Sequence, residues 1–441
     1  MLRIPRTGAP QVALLAMLLA ATPFGCHTTR GTSPRRSSRA SVPRTARRVG
    51  HVNARAVDPA RQRTIARAAC DKKHAPSCFR LAVMLETGQG GRADKPRARR
   101  VYDKACGRGD PRGCYNLAVM LTRGQGGPKQ AARAREVLDK TCRGGLARAC
   151  SALGWMLFRG VGGPPDHAGA RKQFQTACTG GEPESCADLA LLCLMGHGGV
   201  QDHPRARRLY ERACRANVSR GCLNLGLMHE RGHGGAVDKF RARKLYHRAC
   251  GLRDGDACYN LGTMWDLGRG GRFDRRRARI LYQKACRLGD AQGCYTLGTI
   301  WRNGIAVPAS GRNARKFYAR ACAIGHAGAC YEAAHLWKSG RGGKADAGKA
   351  RRMFQRACHA GHTGACVTGG ILLEQGRGGV VNLKGARDLY KRACEAGNGH
   401  GCARLGLLWA AGRGGPRNLA KANELRTRAC RQGWSLACGR P

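Results

Sequence analysis

Apolar and small side chains return along this chain in two alternating helical registers. From Ala242 to Cys250 they fall at Ala242, Leu245, Tyr246 and Ala249, the i, i+3, i+4, i+7 spacing of one helix face. After Cys258 they return at Leu261, Gly262, Met264 and Trp265, and close on Gly268 and the Gly270-Gly271 pair. The pattern predicts a first helix, a glycine turn and a second, shorter helix. Asp238 and its equivalents Asp94, Asp166, Asp202, Asp274, Ser310, Asp346, Asn382 and Asn418 stand where an N-cap oxygen accepts from the first turn, with Gln130 outside that residue set. Three residues past the first cysteine comes Gly109, Gly145, Gly181, Gly289, Gly325, Gly361, Gly397 or Gly433, the residue type that takes a positive φ without steric cost. Asn217 can do the same there, and Arg253 only at a cost.

The whole pattern has one period of 36 residues. Its first cysteine recurs at Cys70, Cys106, Cys142, Cys178, Cys214, Cys250, Cys286, Cys322, Cys358, Cys394 and Cys430. The second recurs at Cys78, Cys114, Cys150, Cys186, Cys222, Cys258, Cys294, Cys330, Cys366, Cys402 and Cys438. Eleven pairs without a slip predict a repeat solenoid, overriding the several globular domains that 441 residues would otherwise suggest.

Eight residues of continuous helix separate two Cα atoms by about 12 Å, whereas a disulfide tolerates about 7 Å. If the cysteines pair within their unit, the chain must reverse between them, and helix, glycine turn and helix make that reversal. Each Cys-x7-Cys then staples its own helical hairpin. The residue before the second cysteine is always small (Ser77, Gly113, Ala149, Ser185, Gly221, Ala257, Gly293, Ala329, Ala365, Gly401, Ala437), as expected where two backbones approach closely. A staple over so short a loop is worth about 2–3 kcal/mol. That matters because a lone hairpin of this length buries too little apolar surface to fold, and stacking on neighbours supplies the rest.

The expected fold is therefore all-α, an α/α superhelical solenoid over 57–441 of ten full hairpins plus a C-terminal capping helix. The first helix, around Asp58 to Cys70, carries Gln62 and Ala66 in place of the usual Ala and aromatic and reads as a cap. The chain stops three residues after Cys438, so eleven first helices and ten second helices are expected.

Ahead of the repeats, Arg3, Arg6, the apolar run Val12 to Ala21 and Gly25-Cys26 predict a secretory signal over 1–25, too short to span a membrane. Cys26 is the lipidation candidate, although Pro23 and Phe24 depart from the usual residues; ordinary signal cleavage nearby is the alternative. Residues 26–56 are rich in Ser, Thr, Pro and Arg and read as a disordered basic tether. Of 24 cysteines, only Cys26 and Cys193 fall outside the period. Cys193 takes the position held elsewhere by His229, Trp265, Trp301, Trp337 and Trp409, read as an inward packing site, and so is expected as a free, buried thiol acting as a small hydrophobe. Signal and cysteines agree on an oxidising compartment: a bacterial cell envelope, as a periplasmic or outer-membrane lipoprotein, or the exterior.

Candidate chemistry is sparse. His229-Glu230-Arg231-Gly232-His233 formally matches a zinc protease motif, but Gly232 is the helix-ending glycine of every unit and separates the two histidines. The cysteine spacing misses that of structural zinc sites. Lys338-Ser339-Gly340 resembles an element of penicillin-recognising enzymes, without the Ser-x-x-Lys that carries their nucleophile. The Gly-x-Gly-Gly tracts lack the Lys-Ser/Thr of a phosphate loop. No catalytic residue is assigned, and no cofactor or metal is expected.

The net charge of +53 is largely periodic. Arg63, Arg99, Arg135, Arg171, Arg207, Arg243, Arg279, Arg315, Arg351 and Arg387 form one row, interrupted at Asn423. Lys104, Lys140, Arg212, Arg248, Lys284, Arg320, Arg356, Arg392 and Arg428 form a second. One reading lays their stems over the apolar edge with the heads in water. The other makes them a ladder of cations for an extended anionic partner.

The signature Asp238-x-x-Arg241-Ala242, Tyr246, Ala249-Cys250, Cys258, Leu261-Gly262 and Gly268-x-Gly270 resembles Sel-like repeats, relatives of tetratricopeptide repeats, in the disulfide-stapled form of the Helicobacter cysteine-rich protein family. One departure is Gly271, where that family tends to have Val; only Val307 keeps it. The resemblance implies a right-handed superhelix whose concave surface binds protein or peptide. It also implies an alternative, since cysteine-rich members are described as penicillin-binding proteins or weak β-lactamases. The expectation is an exported, non-catalytic, monomeric scaffold for a protein, a peptide or an anionic envelope polymer, touching membrane only through a lipid at Cys26, with no nucleic-acid partner.

Overall fold

Each pair of sequence registers folds as a pair of helices, in the sixth unit Lys239–Gly251 and Gly255–Asp266. The computed structural model describes residues 58–438. The expected signal, the tether and Cys26 lie outside them. Among the described residues there are 21 α-helices and no strands, eleven of them first helices, from Pro59–Asp71 to Leu419–Arg431, and ten of them second helices. In place of an eleventh second helix stands the single 3₁₀ turn Ser435–Ala437.

The caps explain where the first helices begin. Asp94, Asp166, Asp202, Asp238, Asp274, Ser310, Asp346, Asn382 and Asn418 each accept from a backbone N–H three residues on. Gln130 makes no such bond, and its Oε1 instead accepts from Arg99. The second helices have caps that the sequence reading did not single out: Asp110, Asp254, Asp290 and Asn398, and the Nδ1 atoms of His326 and His362.

The reversal between helices passes through one left-handed residue, from Gly109 (φ +85°) to Gly433 (φ +84°). Asn217 (φ +62°) and Arg253 (φ +68°) adopt the same conformation. A side chain at Gly109 would meet nothing within 4 Å, so Arg253 carries only the local backbone cost, about 1–2 kcal/mol.

Eleven disulfides close the hairpins, with Cα–Cα distances from 4.4 Å at Cys106–Cys114 to 4.9 Å at Cys430–Cys438. The helices touch most closely just before the second cysteine, where a Cβ at Gly113 would lie 2.7 Å from the Ala105 Cβ. Between units, an aromatic ring of eight first helices, from Tyr102 to Tyr390, packs toward the preceding second helix, with Leu138 in its place in the third unit. A Cβ at Gly226, Gly262 or Gly298 would come within 2.7, 2.8 or 2.5 Å of Tyr246, Tyr282 or Tyr318. That approach is why Leu261 is followed by glycine. The buried tyrosine hydroxyls at Tyr102, Tyr246 and Tyr390 donate to Glu86, Glu230 and Glu374 of the unit before, at 2.8–2.9 Å. Tyr210 faces no such carboxylate, since Leu194 stands at that position, and its buried hydroxyl has no partner. Among the described residues no helix is long and apolar enough to cross a membrane.

Candidate functional site

The first arginine row does not leave its heads in water. Arg63, Arg99, Arg135, Arg171, Arg243, Arg315, Arg351 and Arg387 each donate to the backbone carbonyl 29 residues on, in the turn that ends the same unit. The second glycine of the turn makes room for this latch: a Cβ at Gly91, Gly127, Gly163, Gly199, Gly235, Gly271, Gly343, Gly379 or Gly415 would lie 2.1–3.0 Å from the guanidinium. The row is therefore structural, and the departure from Val at Gly271 has its physical reason. Where Val307 occupies the glycine position, Arg279 makes none of these bonds and its buried Nε is without a partner. Ala306 beside it takes φ +53°.

The second row is the exposed one. Arg212, Arg248 and Arg320 reach carbonyls near the end of the preceding first helix, at Cys178, Arg215 and Arg287. Lys104, Lys140, Lys284, Arg356 and Arg392 carry their charge with no ion pair or side-chain hydrogen bond among the described residues.

The position shared by Cys193 and the tryptophans is more varied than an inward site. Cys193 is the free cysteine of the described residues and is fully buried, and that burial pushes its thiol up against the opposing pull of Arg171 and Arg205. His229 is buried too, with Arg207 Nη2 2.7 Å from its Nδ1; burial, then the Arg207 charge, lowers its pKa. His233 lies instead against His203, ring centroids 5.2 Å apart, and Gly232 ends the helix between the two histidines at φ +75°. The four tryptophans differ: Trp265, Trp301, Trp337 and Trp409 are only half-buried. Indole is too wide for a seat that encloses leucine at Leu85 and Leu121, and at three of the four an arginine covers its face instead. Arg243 lies 3.3 Å from the Trp265 ring centroid, Arg315 3.8 Å from Trp337 and Arg387 4.1 Å from Trp409. Lys338-Ser339-Gly340 is the end of the helix Ala327–Ser339, with Gly340 as its left-handed cap.

Around Trp265 these elements open a cleft of about 630 Å³ between the first helix of the sixth unit and the turn that ends it. Phe240, Trp265 and Phe273 form its apolar walls, and Arg243, Lys244, His247, Arg272 and Arg277 stand around them. Arg277 lies 4.6 Å from the Trp265 centroid on top of the Arg243 contact, Lys244 4.4 Å from Phe240, and Arg275 5.1 Å from Phe273. Burial, and then the Arg277 charge, lowers the pKa of Arg243. The one lining carboxylate, Asp274, is already engaged: it caps its helix at Arg277 N, 2.9 Å, and pairs with Arg277 Nε at 3.2 Å. The site can hold an aromatic or apolar group beside a negative charge. The sequence reading found Trp265 and Arg243 and passed over Phe240 and Phe273. Reading down the columns of the repeat would have found them, since no other unit carries an aromatic residue there: Ala60, Pro96, Ala132 and Ala168 stand at the first position, and Ala93, Lys129, Gln201, Val237 and Ala309 at the second.

Elsewhere one buried polar group is prominent. Asp188, only 4% exposed, takes Arg220 Nη2 at 2.7 Å and Trp155 Nε1 at 3.1 Å, and burial still pushes its carboxyl up to about 6.

The Sel1 repeat pattern matches ten segments: 75–110, 111–146, 147–182, 183–218, 219–254, 255–290, 291–326, 327–362, 368–398 and 399–434. Among solved structures, the chain is similar to c5321, described as a protective antigen of uropathogenic Escherichia coli strains displaying an SLR fold, at 23% identity over 84% of this chain and 80% of that one, TM-score 0.54. It is also similar to a Sel1 repeat protein from Oxalobacter formigenes, at 23% identity over 71% of this chain and 89% of that one, TM-score 0.57. Cysteine-rich protein B of Helicobacter pylori is 28% identical over 29% of this chain and 96% of its own, TM-score 0.25. The two larger likenesses concern the fold alone. No curated protein sequence matches the chain.

Proposed function

The chain belongs to the Sel1 repeat family, whose members typically serve as protein-interaction scaffolds, and from that premise we propose that it is an exported, non-catalytic scaffold that binds an acidic protein or peptide on its concave surface. Eleven disulfides point to an oxidising, extracytoplasmic location. The signal over 1–25 and an anchor at Cys26 belong to the same proposal.

One observation carries the reading. With the first arginine row committed to turns, the second still presents unpaired cations at Lys104, Lys140, Lys284, Arg356 and Arg392, against a total of 80 basic and 27 acidic residues. A charge excess of this kind steers and orients anionic partners. An anionic envelope polymer is the alternative ligand for the same row.

The test is fluorescence anisotropy of labelled acidic, neutral and basic peptides against the oxidised chain at rising salt. Acidic peptides are expected to bind, with affinity falling as salt rises and falling again in the variant Lys104→Glu, Lys140→Glu, Arg356→Glu, Arg392→Glu. Indifference to peptide charge would refute the proposal. A parallel incubation with a chromogenic cephalosporin tests hydrolysis, and turnover that co-purifies with the chain and survives a chelator would replace binding with catalysis.

A further inference from the structure

The cleft of the sixth unit breaks the repeat at two positions that the fold does not need. Phe240 is 59% exposed and Phe273 56% exposed, so neither contributes much to the core. The equivalent residues Ala60, Ala132 and Ala168, and Ala93, Ala309 and Ala345, serve the same backbone in other units. In a solenoid each unit does the same structural work, so a residue that one unit alone carries, on the surface and at a hydration cost, points to a task of that unit. The two phenylalanines line one cleft with Trp265, whose ring is already covered by Arg243 at 3.3 Å and Arg277 at 4.6 Å.

Deepening the acidic-partner reading, on which it rests, we propose that this cleft is a discrete anchor site for an aromatic side chain flanked by carboxylates in an acidic peptide. The ring enters between Phe240 and Phe273 and meets the edge of Trp265. Edge-to-face and offset contacts of this kind favour aromatic over aliphatic guests. The flanking carboxylates reach Lys244, His247 and Arg272, which are exposed and free of carboxylate partners, whereas Asp274 is held by Arg277. Desolvation of the cleft by the guest strengthens those charge contacts.

Polymers of repeating composition suit the site less well. A polysaccharide or a single-stranded nucleic acid stacks on a succession of aromatic platforms. The neighbouring units offer Pro204 and Arg276 at the Phe240 position and Val237 and Ala309 at that of Phe273. One aromatic pocket ringed by cations is the arrangement of a single buried anchor.

The test uses the oxidised full chain and three labelled peptides, Glu-Asp-Phe-Asp-Glu, Glu-Asp-Ala-Asp-Glu and Gln-Asn-Phe-Asn-Gln, with a uronic-acid oligosaccharide as competitor. The phenylalanine acidic peptide is expected to bind at least about tenfold more tightly than either of the others. The double variant Phe240→Ala, Phe273→Ala is expected to erase the preference for phenylalanine over alanine and to leave the weaker, salt-sensitive binding in place. Its circular dichroism should match the parent, since alanine occupies both positions in other units.

Equal binding of the two acidic peptides, or a preference that survives in the double variant, would overturn the anchor site while the wider acidic-partner reading stood. Tighter binding of the oligosaccharide, lost in the double variant, would overturn it in favour of a sugar site. Failure of every anionic probe would remove both readings together.

Discussion

In the second unit the seat is taken by Leu121, fully enclosed, and Arg99 donates to the Pro128 carbonyl at 2.8 Å; in the sixth it is taken by Trp265, half-buried, and Arg243 spreads over its face before reaching the Arg272 carbonyl. The disulfide, the left-handed turn and the paired glycines are the same in both. Leucine fits inside the unit and leaves an even surface. Indole does not fit, so its edge comes out, and Phe240 and Phe273 gather beside it. Two units with the same framework thus differ in what they offer to solvent, and the apolar part of that difference lies in Trp265 against Leu121, Phe240 against Pro96 and Phe273 against Lys129.

The largest perturbation should treat both units alike. Full reduction removes every staple, each worth about 2–3 kcal/mol over so short a loop, and should abolish the cooperative helical signal in far-ultraviolet circular dichroism. Retention of the transition after reduction would show that stacking alone holds the units.

Next in size is the latch. Gly271→Val places a Cβ 2.3 Å from the Arg243 guanidinium at φ +150°, and should lower stability by about 2–3 kcal/mol in urea titration. Arg243→Met loses a carbonyl bond and the indole contact, for about 1–2 kcal/mol. Arg279→Met, in the unit where Val307 has displaced the latch, should be neutral or slightly stabilising. Equal losses for the two arginines would show that the latch contributes nothing.

Converting one unit into the other should be milder. Trp265→Leu should lower stability by only about 1 kcal/mol, since a leucine already serves this seat in other units, while abolishing preference for an aromatic peptide. A large loss of stability would mean that the tryptophan belongs to the core.

The smallest effects separate the two regions by pH. Burial pushes Asp110 of the second unit up, but bonds from Arg112 and the Gly113 amide outweigh it, and its pKa is lowered. Its contribution is present above the ordinary carboxylate range and is lost as pH falls through the depressed value. Asp290, at the junction of the sixth and seventh units, is raised by burial and by the facing Asp256 carboxylate. Its contribution is complete below the ordinary range and is lost as pH rises through the elevated value. Asp110→Asn should therefore flatten the acid limb of stability, and Asp290→Asn should raise stability at pH 8 relative to pH 5. Urea midpoints between about pH 2 and pH 5 decide the first, and midpoints at pH 5 and pH 8 the second.

Much of the fold was legible because the period repeats each signal eleven times. N-caps such as Asp238, the turn at Gly109 and the Cys250–Cys258 staple could be read from one unit and checked on ten others. The latch was not legible, because Arg243 and the turn carbonyl it reaches are 29 residues apart and neither is unusual alone. Phe240 and Phe273 were missed for the opposite reason: attention to what recurs conceals what occurs once. The histidine caps at His326 and His362 were missed because imidazole stands outside the usual capping set.

Each staple and each latch closes inside one period: Cys70 with Cys78, Arg63 with the carbonyl of Arg92, both between Asp58 and Ala93. A duplication or deletion of whole periods therefore leaves no odd thiol and no orphaned guanidinium, whereas a change that takes in one cysteine of a pair, or the arginine without its turn, leaves one or the other. The gene can lengthen or shorten the protein in steps of one hairpin, and an insertion out of step is exposed to disulfide scrambling during oxidative folding. Copy number is thus a heritable dial that the chemistry of the unit keeps open, and a singular unit such as the sixth can be carried along a scaffold of changing length without being redesigned.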